Sequence, residues 1–133
     1  MRYMIMSDTT QYPFLEDDFY IRWSTLTTEN VEKDINQAIK IAEAKLDVIK
    51  NLSADEVTFE NTFLALESAT EELNRGWGRL NHLDSVCDND DLQAELNKML
   101  PAVVEFSSSV ALDPQIWSAL KAFRDSNAAK DLN

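Results

Sequence analysis

Apolar residues recur at spacings of three and four from Val31 to Ile49 and again from Phe59 to Leu83, and this period restricts the chain more than any other feature. Val31, Ile35, Ala38, Ile39, Ala42, Leu46 and Ile49 fall on one stripe of a helix. Phe59, Phe63, Leu66, Ala69, Leu73, Trp77, Leu80 and Leu83 form a second. Two glycines and three prolines in 133 residues leave little material for the tight turns of a β-protein, and this length suits one domain. The expected fold is all-α: antiparallel helical hairpins of about four helices, the third kinked near Pro101, with an extended N-terminal arm.

Residues 1–11 are polar and unpatterned, and are expected to be a disordered leader. Residues 12–26 interleave aromatic and aliphatic residues with acids, and Pro13 biases Tyr12 towards extended backbone. They read as an arm laid across helices, anchored by Phe14, Phe19, Ile21 and Trp23. The helical domain is expected over 27–125, with a loose tail at 126–133.

Thr27 is the expected N-cap of the first helix, its hydroxyl accepting a first-turn N–H, and Glu29 and Glu32 suit the positive end of the helix dipole. Thr58 is the second cap, and the helix it opens, about 28 residues long, would span roughly 42 Å. Gly76 and Gly78 flank Trp77 within it, each costing up to about 1 kcal/mol against Ala, which points to close helix approach beside the indole or to a hinge. A third helix starts at Asp88 or Asn89 and buries Leu92, Leu96, Met99, Val103, Phe106 and Val110. Pro101 falls inside it and removes one helical hydrogen bond, so a kink or break is expected near Leu100. Asp113-Pro114 opens a last helix with Ile116, Trp117, Leu120 and Phe123 on its inner face.

Twenty-four acidic residues against 12 basic ones give a net charge of −12, with acids grouped at Glu16 to Asp18, Glu71-Glu72 and Asp88 to Asp91. Such a surface repels nucleic acid and anionic membranes, which need clustered Lys or Arg. No apolar stretch approaches the roughly 20 residues that cross a bilayer. Cys87 is the single cysteine, and the apolar run Tyr3 to Met6 is too short for a signal peptide. A reducing, cytoplasmic setting is the expectation.

His82, Asp84, Cys87, Asp88, Asp90 and Asp91 lie within ten residues and include every ligand type that zinc accepts. Their spacing matches no zinc pattern, and Asp88 to Asp91 lack the glycine and terminal Glu of a calcium loop. Capping of helix ends, with His82 hydrogen-bonded at the turn, is the expected role. Cys87 lacks the third orienting group of an activated thiol. No catalytic, cofactor or metal-binding residue is assigned.

The strings Thr58-Phe59-Glu60-Asn61-Thr62 and Asn81-His82-Leu83-Asp84-Ser85-Val86, with Tyr12-Pro13-Phe14-Leu15, Phe19 to Thr27, Leu100-Pro101 and Ile116-Trp117, resemble the N-terminal helical region of the oligopeptidase A and thimet oligopeptidase family of zinc metallopeptidases. About nine tenths of the chain is covered. The resemblance implies a non-catalytic part of the wall or cap over a substrate channel that admits short peptides. Zinc belongs to a later catalytic region that carries His-Glu-x-x-His, which a chain with one histidine cannot supply. Partners are then that catalytic portion, in cis or in trans, and short peptides in a complete enzyme. A domain that packs on a larger body needs an apolar surface beyond its own core, and Ile41, Val48, Leu64 and Val104 lie off the main stripes. The alternative is a stand-alone interaction domain or a homo-oligomer using the same surface.

Overall fold

The computed structural model describes residues 11–132. The expected leader, apart from Gln11, lies outside the described residues. The described residues are helical without strands, as the apolar period requires.

Helix α1 (Thr28–Lys50) is the hub, touching every other α-helix and the turn Pro13–Leu15. Its inner face buries Val31, Ile35, Ala38, Ala42, Leu46 and Ile49. Thr27 is the N-cap, but its side chain takes no backbone N–H; its hydroxyl accepts instead from the Asn30 amide at 3.1 Å.

The second stripe is not one helix. It opens as a π-helical turn (Glu60–Leu64), continues as α2 (Ala65–Ala69), breaks at Thr70 and resumes as α3 (Glu71–Val86). At the start, Thr58 and Asn61 cap each other: the Asn61 N–H donates to Thr58 Oγ1 at 3.0 Å and the Thr58 N–H to Asn61 Oδ1 at 2.6 Å. This is a capping box with Asn in the place of Glu. The Leu64 N–H reaches back five residues to the Phe59 carbonyl at 3.1 Å, which defines the wide turn. At Thr70 the Asn74 N–H and amide satisfy the carbonyl and hydroxyl at 2.9 and 3.3 Å, so the restart leaves neither group of Thr70 unserved.

Helix α4 (Asp90–Leu112) is capped by Asn89, whose side chain accepts from the Leu92 N–H at 3.0 Å. It runs unbroken through Pro101. Leu100, Pro101 and Asn97 are all exposed, so the Asn97 carbonyl deprived of its donor faces water and no break is forced. Helix α5 (Pro114–Arg124) is capped by Asp113, which accepts from the N–H groups of Gln115 and Ile116 at 2.9 and 3.3 Å. Trp117 is not on its inner face: it is 58% exposed, and its indole donates to the Ala111 carbonyl at 2.7 Å across the corner from α4. Ile116, Ala119, Leu120 and Phe123 line the buried side. Ala128–Asp131 adds a 3₁₀ turn within the segment read as tail.

Cross-helix contacts fix the directions. Ile35 approaches Gly76 and Lys45 Nζ meets Glu72 at 2.8 Å, so α3 runs antiparallel to α1. Lys98 pairs with Glu32 and Lys50 with Asp113 at 2.7 Å, so α4 runs parallel to α1. Phe59, Phe63 and Phe123 group with ring centroids 5.8–6.0 Å apart and tie α5 to the π turn.

The two glycines of α3 differ. A Cβ on Gly76 would lie 2.8 Å from Leu15 Cδ2 and 3.4 Å from Ile35 Cδ1, both fully buried residues, whereas one on Gly78 meets nothing within 4 Å. The close approach at Gly76 is thus shared by the arm, through Leu15, and by helix α1, through Ile35. Gly76→Ala is expected to destabilise the fold by about 1–3 kcal/mol through overpacking, while Gly78→Ala stabilises it by up to about 1 kcal/mol. Urea unfolding of the two variants checks both signs.

Candidate functional site

The arm enters the core through the 3₁₀ turn Pro13–Leu15, which buries Phe14 and Leu15 completely. Three charged side chains grip its backbone. Asp34 Oδ2, on α1, accepts the Phe14 N–H at 2.8 Å. Arg79 on α3 donates to the Phe14 carbonyl at 3.1 Å, and Arg75 to the Leu15 carbonyl at 3.1 Å. Arg75 also reaches Asp17 at 3.1 Å, and Arg22 pairs with Glu16. Thus the backbone of one residue, Phe14, is clasped from both helices.

Sequence reasoning assigned no role to Asp34, Arg75 or Arg79. A usable signal was present: Asp34 completes the spacing Val31, Asp34, Ile35, Ala38, which puts a carboxylate at a core position, and Arg79 stands beside core Leu80. Asp34 Oδ1 has no hydrogen-bond partner among the described residues; Lys33 Nζ is 3.7 Å away. Burial pushes the Asp34 carboxyl above the usual carboxylate range, against the opposing pull of the Phe14 N–H and Lys33. Burial likewise lowers the Arg79 guanidinium from its ordinary value, with neighbouring Arg75 adding to the effect.

Of the expected arm anchors, only Phe14 is buried. Phe19, Ile21 and Trp23 stand in solvent, because the chain leaves the helices after Glu16 and returns only at buried Leu26. Trp23 leans on the His82 ring at 5.1 Å, tilted by 45°.

The acidic cluster around His82 does not converge. His82 and Cys87 are exposed, and among the described residues no group of three or more His, Cys, Asp or Glu is placed to share an ion. A shallow polar groove of about 320 Å³ runs from Asp84 to Gln93. The turn expected of His82 involves its backbone: its carbonyl accepts from Ser85 Oγ at 2.7 Å. The donor set does not fit a zinc site. Of the four off-stripe residues, Ile41 is half-buried against the core, while Val48, Leu64 and Val104 are exposed.

Residues 29–133 match the family model described as Neurolysin/Thimet oligopeptidase, N-terminal domain. The chain belongs to that family. It is 27% identical over 124 residues to an organellar oligopeptidase A, chloroplastic/mitochondrial, of Arabidopsis thaliana, covering 92% of this chain and 15% of that protein. A probable cytosolic oligopeptidase A of the same plant is also 27% identical over 124 residues, covering 92% and 17%. Oligopeptidase A of Haemophilus influenzae is 25% identical over 104 residues, covering 78% and 15%. The chain thus spans 15–17% of the length of these curated relatives. No solved structure matches it. No helix among the described residues is long and apolar enough to cross a membrane.

Removing the clasp carboxylate has a defined cost. Asp34→Ala leaves the buried Phe14 N–H without its acceptor and is expected to destabilise the domain by about 1–3 kcal/mol in urea unfolding. The pH dependence follows from the raised carboxyl. The folded state holds this proton more tightly than the unfolded chain, so the group favours folding below its unfolded value near about 3.9 and withdraws that help as pH rises through its folded value. Asp34→Asn cannot titrate. Its stability relative to the parent is therefore expected to rise as pH increases from about 4 through the raised folded value of Asp34; a difference independent of pH contradicts the assignment.

Proposed function

We propose that this chain is the non-catalytic, N-terminal helical domain of a zinc-dependent oligopeptidase acting on short peptides. It would form part of the wall or cap of the substrate channel when joined to the catalytic portion, in cis or in trans. The observation that carries this reading is the family match over residues 29–133, supported by oligopeptidase A relatives that align with 78–92% of the chain. The zinc, the water it activates and the cleavage step are then assigned to the catalytic portion, since His82 is solitary and turned to Trp23. The domain's contribution is geometric: it narrows the entrance and completes a rigid enclosure around the peptide. A cytosolic setting is part of the proposal, in keeping with the lone, free Cys87 and with the cytosolic Arabidopsis relative.

A chimera tests it. The chain replaces the matched segment of Haemophilus influenzae oligopeptidase A, and hydrolysis of a short quenched-fluorescent peptide is compared with that of the parent enzyme and of a version with the segment deleted. The chimera is expected to keep kcat/KM within about tenfold of the parent, and the deletion to lose more than about a hundredfold, the scale of a misplaced substrate. A folded, zinc-loaded chimera as inactive as the deletion sinks the reading.

A further inference from the structure

Between its buried turn and α1 the arm carries an apolar surface that the core does not use. Phe19 is 91% and Tyr20 80% exposed, and Ile21 and Trp23 are exposed beside them. The Phe19 and Tyr20 rings meet edge to face at 4.9 Å. Trp23 extends the surface onto His82, and exposed Val86 follows one turn along the same side of α3. The backbone of this segment is also unused: residues 17–21 take part in no backbone–backbone hydrogen bond among the described residues. Yet the segment is held at both ends, by the Asp17–Arg75 and Glu16–Arg22 pairs and by the turn Trp23–Thr25 leading to Leu26. An apolar loop presented in a fixed shape loses little freedom on docking.

Resting on the domain reading above, we infer that this face seats on the remainder of the oligopeptidase polypeptide, in an apolar depression rimmed by Lys or Arg. A chain spanning 15–17% of its relatives leaves most of a complete enzyme's surface available as that seat. The sign of the rim follows from local charge. Arg22 and Arg75 are already engaged with Glu16 and Asp17, while exposed Asp18 borders the loop and exposed Asp88 lies just past the end of α3. A second copy would bring the same acids against themselves on a chain of net charge −12, and nucleic acid would be repelled for the same reason. Burial of clustered aromatics at the centre with opposite charges around them is the pattern that concentrates binding energy.

The chimera described above carries the test. Replacing Phe19, Tyr20 and Trp23 together by Ser is expected to lower kcat/KM for the short peptide at least about tenfold and to split a single calorimetric transition in two. The isolated 133-residue chain with the same changes is expected to keep its helical circular dichroism and its melting temperature. A second pair of variants alters only the two most exposed rings. Phe19→Lys with Tyr20→Lys is expected to impair the chimera more than Phe19→Glu with Tyr20→Glu, because lysines face the basic rim. The inference is overturned if the triple variant matches the unsubstituted chimera, if Glu impairs as much as Lys, or if Val48→Ser with Val104→Ser uncouples the domain instead. It is also overturned if the isolated chain sediments as a dimer that the arm changes dissolve. An unsubstituted chimera that loads zinc but cleaves nothing refutes the domain reading itself, and so is told apart from failure of the docking face.

Discussion

The fold turns on one residue of the arm, Phe14, whose backbone is held by two buried ionisable side chains of opposite sign. Asp34 takes its N–H and Arg79 its carbonyl, from helices that run antiparallel on either side. A buried charge is costly unless paired or hydrogen-bonded. Here the two side chains are joined through the dipole of the backbone residue between them, which lets a carboxylate and a guanidinium stay inside a helical core. The arm is therefore an inserted structural element, and the slot that receives it exists because Gly76 has no Cβ to meet Leu15.

That constraint explains the order of the helices around α1. Lys45–Glu72 and Lys50–Asp113 lie along α1 beyond the clasp, and Glu32–Lys98 lies before it. Glu32–Lys98 is exposed, and pairs of that kind contribute little stability individually, about 0–1 kcal/mol, while the other two are partly buried. Their use is in register, since each fixes where a neighbour sits along α1 once the apolar faces have met. Lys50–Asp113 does more than the others. The carboxylate that caps α5 is also bonded to the C-terminal turn of α1, and Lys50 holds it below the usual carboxylate range.

What the sequence made readable was whatever depends on period and on local capping. The stripe of α1, the caps Asn89, Asp113 and Thr58, and the buried face of α4 follow from residues within a few positions of one another. The π turn and the break at Thr70 did not follow, because a stripe of period near 3.6 looks alike whether one turn is widened or one residue drops out. Nor was the fate of Trp117 readable: its indole satisfies the Ala111 carbonyl at a corner whose geometry arises only when α4 and α5 meet. The clasp was hidden for a related reason. Its donors and acceptors are 20 to 65 residues apart, and although the α1 stripe puts Asp34 at a core position, nothing local names the backbone it grips until the arm is laid against it.

The same clasp marks a change of environment along the arm. Up to Glu16 the arm belongs to the core; beyond it, aromatic side chains project from the body until Leu26 returns. The Asp17–Arg75 and Glu16–Arg22 pairs lie at the point where the arm leaves the core. On the reading proposed above, the ion pairs at the root present the aromatic segment to the rest of the polypeptide at a lower entropic cost than a free loop would incur.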